Sequence, residues 1–127
     1  MAKSFEELEV WKLAIEMDKK VFKFIQESRI KTDFALRDQM LRSCGSIADN
    51  IAEGFERGGN KEFMQFLFIA KGSCGELRSQ FQRSLNRELI AKEEFDLFYN
   101  ACKILSVKLS NLISHIKSSE FKGNKYT

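Results

Sequence analysis

Proline is absent from all 127 residues of this chain, where average usage of about 5% would place roughly six. Nothing in the covalent backbone therefore stops long helices from running. The apolar residues are spaced to use that freedom. Phe63, Leu67, Ala70, Cys74, Leu77 and Phe81 repeat at alternating steps of four and three, and Phe98, Cys102, Leu105, Leu109, Leu112 and Ile116 do the same. That rhythm puts each set on one face of a helix, and the faces must be buried against one another.

Punctuation elsewhere in the chain divides it into four such helices. Ser4 and Glu7 stand at capping-box spacing and open a helix read over residues 5–29. It carries two stripes, Val10, Ala14, Met17, Val21, Phe24 and Leu8, Trp11, Ile15, Phe22, Ile25. Thr32 or Asp33 caps the next, over 33–57, with the stripe Met40, Cys44, Ile47, Ile51. Gly58 and Gly59 end it, and Asn60 caps a third over 60–87. The fourth is predicted over 92–118, followed by a frayed tail, 119–127. Helices of about 25 residues are about 37 Å long, and short connections favour antiparallel neighbours. The fold class predicted is therefore all-α, a single domain built as an up-down-up-down four-helix bundle; a hairpin that pairs only in a dimer is the less economical alternative.

The composition fits that reading, since 43% hydrophobic residues supply a real core. A net charge of +3 comes from 21 basic and 18 acidic residues. That is a mixed surface rather than a polycation, so strong nucleic-acid binding does not follow from overall charge. The longest apolar run, Phe66–Ala70, is far short of the roughly 20 residues of a membrane helix. The amino terminus lacks the apolar region of a signal peptide, so a cytoplasmic protein without a membrane role is expected. Cys44, Cys74 and Cys102 form no CxxC pair, and each falls on a core stripe where cysteine acts as a small hydrophobe.

Catalytic and metal chemistry find little to work with. A di-iron bundle needs two Glu-x-x-His pairs; His115 is the only histidine, and Leu112 stands three residues before it. Ser114, beside His115, points elsewhere on a helix, so no nucleophile and base pair forms. Gly72 and Gly75 lie inside an uninterrupted heptad pattern without a preceding strand, so a phosphate loop is excluded and close helix approach is expected, with Gly45, Ala48 and Ala52 as a matching small face. Asn50, Glu53, Ser73, Glu76 and Gln80 lie near the apolar stripes, with Arg42, Arg57 and Arg78 as partners. They are read as a hydrogen-bonded network that fixes helix register in preference to an acid-base pair. No catalytic, cofactor or metal residue is assigned, and no small-molecule substrate is expected.

Two features point outward. Phe63 to Ala70 is apolar almost all round, which one bundle cannot bury on every side, so a second subunit is expected to cover it. From Leu97 onward five lysines (103, 108, 117, 122 and 125) face one acid, Glu120, and Arg78, Arg83 and Arg87 line the end of the third helix. Arg78, Arg83, Arg87, Lys103, Lys108 and Lys117 are the candidate nucleic-acid contacts. Repeated in an oligomer, they would make a phosphate-binding surface.

The segments Phe5-x-x-Leu8-x-Val10-Trp11, Gln39 to Arg42, Ser46-Ile47, Asn50-Ile-Ala-Glu-Gly-Phe55 with Arg57, and Ala70-x-Gly72-Ser73-x-x-Glu76-Leu77 together resemble the bacterial four helix bundle proteins, also called 23S rRNA intervening-sequence proteins. The motif residues are Asn50, Glu53, Gly54, Phe55, Arg57, Gly72, Ser73 and Glu76. The family often has a proline before the second helix, where this chain has Ile30 to Asp33, and Cys44-Gly45 replaces residues that are more often alanine-like. The resemblance implies a homopentamer of four-helix subunits, with no established biochemical role. A more distant similarity, to the accessory proteins of diversity-generating retroelements, suggests a basic pentamer that contacts nucleic acid and a reverse transcriptase, so RNA or a nucleic-acid-associated protein is the partner expected here. The expectation is a non-enzymatic oligomeric bundle that binds RNA or a ribonucleoprotein partner; the alternative is a structural or protein-adaptor bundle with no nucleic-acid role.

Overall fold

A computed structural model describes the backbone of residues 2–126 and the side chains as far as Ser119. Four helices run antiparallel: α1 (Glu9–Glu27), α2 (Phe34–Glu56), α3 (Asn60–Asn86) and α4 (Lys92–Tyr126). Each packs on its neighbours in chain order and α4 closes the square on α1, the loosest of the four contacts. No strand occurs among the described residues. α4 continues past the end at 118 read from the sequence, and the side chains from Glu120 on lie outside the described residues.

The helix starts differ from expectation for local reasons. The Glu7 carboxylate accepts from the Ser4 N–H at 3.0 Å, as the capping box predicts. It closes only a short 3-10 turn, Phe5–Glu7, because Leu8 is extended (ψ 130) and α1 begins at Glu9. Asp33 caps α2, accepting from the Leu36 N–H at 3.4 Å. Gly59 takes the N-cap position of α3, and Asn60 becomes its first residue without a side-chain cap bond. Gly58, at φ +86, makes the left-handed turn between α2 and α3.

The heptad stripes meet in one core. Val21, Ile25, Met40, Ile47, Ile51, Leu67, Leu77, Phe81, Leu105 and Leu109 are fully buried. Phe81 stacks on Phe98 with centroids 5.0 Å apart, and Phe24 closes the cluster at 4.8 Å from Phe98. The three cysteines are buried there too. Burial above all pushes the thiols of Cys74 and Cys102 up to about 12, and that of Cys44 higher still. Among the described residues no group of potential ligands is placed to hold a metal.

Close helix approach occurs at Gly54 and not at the glycines expected to provide it. A Cβ on Gly54 would stand 2.5 Å from the Phe66 Cβ, so α2 and α3 meet there on bare backbone. Gly72 and Gly75 have nothing within 4 Å, and Gly45 has only the Asp18 carboxylate, at 3.9 Å. Heptad position could not separate these cases, because the glycines of α3 fall on its flanks.

The Phe63–Ala70 segment divides as one bundle must divide it. Leu67 and Ala70 are buried, Phe63, Met64 and Phe66 are half-buried, and Phe68 and Ile69 remain 59% and 50% exposed. Ile15 and Phe22 on α1, and Leu97, Ile104 and Val107 on α4, are likewise exposed. Among the described residues no helix is long and apolar enough to cross a membrane.

Candidate nucleic-acid interface

The six expected cations do not form one patch. Arg87 swings across to α2 and pairs with Asp33 at 2.8 Å. Arg83 also reaches α2, donating to the Gln39 amide oxygen at 2.7 Å. Lys108 turns the other way and pairs with Glu9 of α1 at 3.0 Å. These three tie helices together.

Arg78 and Lys103 do come together. Arg78 of α3 lies over the ring of Tyr99 at 5.5 Å, and Lys103 of α4 lies over the same ring at 5.9 Å. The ring's negative face offsets part of the repulsion between the two cations and holds them at the α3/α4 seam. Neither makes an ion pair with a described carboxylate. Further along that seam Lys61 and Lys117 face one another across a groove of about 690 Å³ floored by Met64, Phe68 and Ile113. Lys71 lies between, one heptad before Arg78, and both oppose the burial of the Cys74 thiol by favouring its thiolate. Sequence reasoning missed Lys61 and Lys71. Their signal was the seven-residue step from Lys71 to Arg78, which sets both on the α4-facing flank of α3.

One pair of carboxylates lies elsewhere, Asp18 and Asp49. On the α1/α2 seam burial and the neighbouring Asp49 raise the carboxyl of Asp18 above its usual range, with a hydrogen bond from the Cys44 thiol acting the other way.

The expected polar network is smaller than the sequence suggests. Asn50 donates to the carbonyl and hydroxyl of Ser46 at 2.7 and 2.8 Å, and Ser73 donates to the same Ser46 hydroxyl at 2.9 Å. That ties α2 to α3 midway. Glu53 instead pairs with Arg57 at 2.8 Å, and Arg57 covers the Phe66 ring at 5.2 Å, so this end of the motif braces the α2–α3 corner. Phe55 meets Phe63 edge-on at 5.7 Å in the same corner. Arg78, expected in the network, is at Tyr99 instead because it lies on the far flank of α3. Ser73 and Glu76 line a second groove, of about 630 Å³, between α2 and α3, together with Gln39, Arg42, Ser43, Ser46, Gln80 and Arg83.

The one histidine, His115, is exposed on α4 and lines neither groove. Among curated proteins none matches the chain. A solved structure does, that of a protein of unknown function from the S23 ribosomal protein family of Bacteroides thetaiotaomicron. It superposes with a TM-score of 0.75 over 82% of this chain and 97% of that one, at 22% identity, which bears on the fold alone. The 23S rRNA-intervening sequence protein family matches residues 6–111, a span that holds α1, α2, α3, the first part of α4 and the motif residues from Asn50 to Glu76, and the chain belongs to that family.

Proposed function

We propose that the protein is a non-enzymatic, oligomeric bundle that binds RNA through the α3/α4 seam. The observation that carries the reading is the pairing of Arg78 and Lys103 over Tyr99, extended by Lys71, Lys61 and Lys117. Cations interleaved with an aromatic ring suit a phosphate backbone with exposed bases. The exposed Phe68, Ile69, Leu97, Ile104 and Val107 support assembly; a pentamer is the size the family resemblance implies. In a ring each subunit would repeat the basic seam, and modest sites would combine.

A second reading, a protein adaptor, draws support from the apolar α1/α4 groove of about 460 Å³ lined by Leu13, Phe24, Leu97 and Ile104. Salt dependence separates the two. Binding of a structured RNA should weaken steeply as salt rises. The combined Lys71→Gln, Arg78→Gln, Lys103→Gln and Lys117→Gln variant should lower the slope of log affinity against log salt by about two to three units. Lys108→Gln, which removes a cation already paired with Glu9, should leave the slope nearly unchanged. An absence of RNA affinity at low salt, or an unchanged slope in the fourfold variant, would favour the adaptor.

A further inference from the structure

Charge separates the two apolar grooves of the bundle. In the α1/α4 groove Lys20 and Lys23 are balanced by Glu16 and Glu27, whereas the α3/α4 groove of about 690 Å³ is lined by Lys61 and Lys117 and by no carboxylate. Neither lysine makes an ion pair with a described carboxylate. A second subunit seated on the α3/α4 groove would have to bury both ammonium groups, a cost that the balanced α1/α4 groove does not carry. The α3/α4 groove therefore suits an anionic occupant.

Helix register gives its layout. Phe81 of α3 stacks on Phe98 of α4. Counted along the antiparallel pair from that stack, Lys61 stands level with Lys117 and Phe68 with Ser110, each to within about one residue. The two lysines thus share one end of the groove, and Phe68 lies about 10 Å along the axis at seven residues of 1.5 Å rise. The space stays open because α4 sets the short side chains of Ser110 and Ser114 against Met64 and Phe68. Beyond Phe68 positive charge resumes at Lys71, about 15 Å from Lys61 along the axis, and continues to Lys103 and Arg78. Phe68 is 59% exposed; its ring stacks on no described ring and carries no described cation. The Tyr99 ring, by contrast, already carries Arg78 and Lys103.

We propose that the α3/α4 groove receives an unpaired nucleobase stacked on Phe68, with the phosphates on either side of it held by Lys61 and Lys117 at one end and Lys71 at the other. The assignment rests on the RNA reading above and specifies the target as single-stranded segments. An anion with one charged head and an apolar tail would satisfy Lys61 and Lys117 but leave Lys71, Lys103 and Arg78 unmet. A polyanion with flat apolar groups between its charges satisfies the whole seam. In a duplex the bases are paired and stacked inward, so only the cations are engaged.

The test measures binding of the full chain, from low salt upward, to a short single-stranded RNA, to the same strand annealed to its complement, and to an abasic strand with as many phosphates. The parent should bind the single strand about tenfold more tightly than the abasic one, the value of one stacked base. Phe68→Leu, at a largely exposed position, should melt as the parent does. It should erase that preference while leaving duplex binding, abasic binding and the salt slope unchanged; Phe68→Trp should retain the preference. Lys61→Gln with Lys117→Gln should weaken all three strands and lower the single-strand salt slope by about one unit. Phe22→Leu, which removes an exposed ring from α1, should change nothing. Salt-dependent binding without preference for the strand with bases, or a preference that Phe68→Leu retains, overturns the proposal and leaves the RNA reading standing. Failure of every strand to bind at low salt removes both. A lower light-scattering mass for Phe68→Leu than for the parent would mark the ring as a subunit contact and also overturn the proposal.

Discussion

Glu88 is the one non-glycine residue at positive φ among those described, at 59°. It stands just beyond the end of α3, where its N–H bonds the Leu85 carbonyl at 2.9 Å and the next N–H, of Leu89, bonds the Ser84 carbonyl at 3.0 Å. This left-handed helix end normally employs glycine, because a Cβ crowds the following carbonyl. The Arg29 guanidinium donates to the Glu88 carbonyl at 2.9 Å, a backbone contact that a substitution leaves in place. Glu88→Gly should therefore stabilise the fold by about 1 kcal/mol, read as a higher midpoint in urea; a lower midpoint would show that the glutamate side chain contributes to the turn. The buried thiols make a different prediction. Their ordinary value of 9.0 is raised in the fold, to about 12 for Cys74. The folded state then holds these protons more tightly than the unfolded state. The stability they confer is whole below about pH 9 and is lost as pH rises toward 12, at about 1.4 kcal/mol per pH unit for each thiol. Urea midpoints should be level up to that point and then fall. Cys74→Ala lowers the whole curve through its cavity but should make the alkaline fall shallower. An equal slope would show that Cys74 ionises in the fold without penalty.

Gly54 and Gly72 separate what a helix needs internally from what it leaves open. Gly54→Ala drives a methyl to 2.5 Å from the Phe66 Cβ and should destabilise by about 1–3 kcal/mol. Gly72→Ala meets nothing within 4 Å and should stabilise α3 by about 0.5–1 kcal/mol through helix propensity. Thermal melts of both variants check the pair; a destabilised Gly72→Ala would mean that another chain packs there. The contrast also shows how far the sequence could be read. Stripes such as Phe63 to Phe81 declared the helices and the core, because burial depends on periodicity along one element. Which flank of α3 faces α2 depends on how two elements rotate against each other. Arg87 finding Asp33, Lys108 finding Glu9, and Arg78 leaving the polar network for Tyr99 were therefore beyond a one-dimensional pattern. The basic seam was half legible: Arg78, Lys103 and Lys117 were read from charge density, while Lys61 and Lys71 stand singly on either side of the apolar stretch Phe63–Ala70.

The square arrangement puts the polar α2/α3 groove diagonally opposite the apolar α1/α4 groove, with the basic α3/α4 seam adjoining both. α1 and α4 make the loosest contact in the bundle, and between them Leu97 and Ile104 are 67% and 56% exposed. Exposed apolar surface of this kind is what a second subunit covers. Assembly through α1 and α4 would leave the polar α2/α3 groove facing outward on every subunit, whereas assembly through α2 and α3 would bury it. Light scattering at micromolar concentration should give a mass above the 14.7 kDa of one chain. The double variant Leu97→Glu and Ile104→Glu should return it to that value with unchanged helical circular dichroism, since both side chains already reach solvent in one chain and the cost of burying two introduced carboxylates in the subunit contact drives dissociation. Salt-dependent RNA binding by the dissociated variant should be weaker than the parent's by the loss of multivalency. A parent that scatters as 14.7 kDa excludes the oligomer, and a double variant that stays assembled moves the interface to another face.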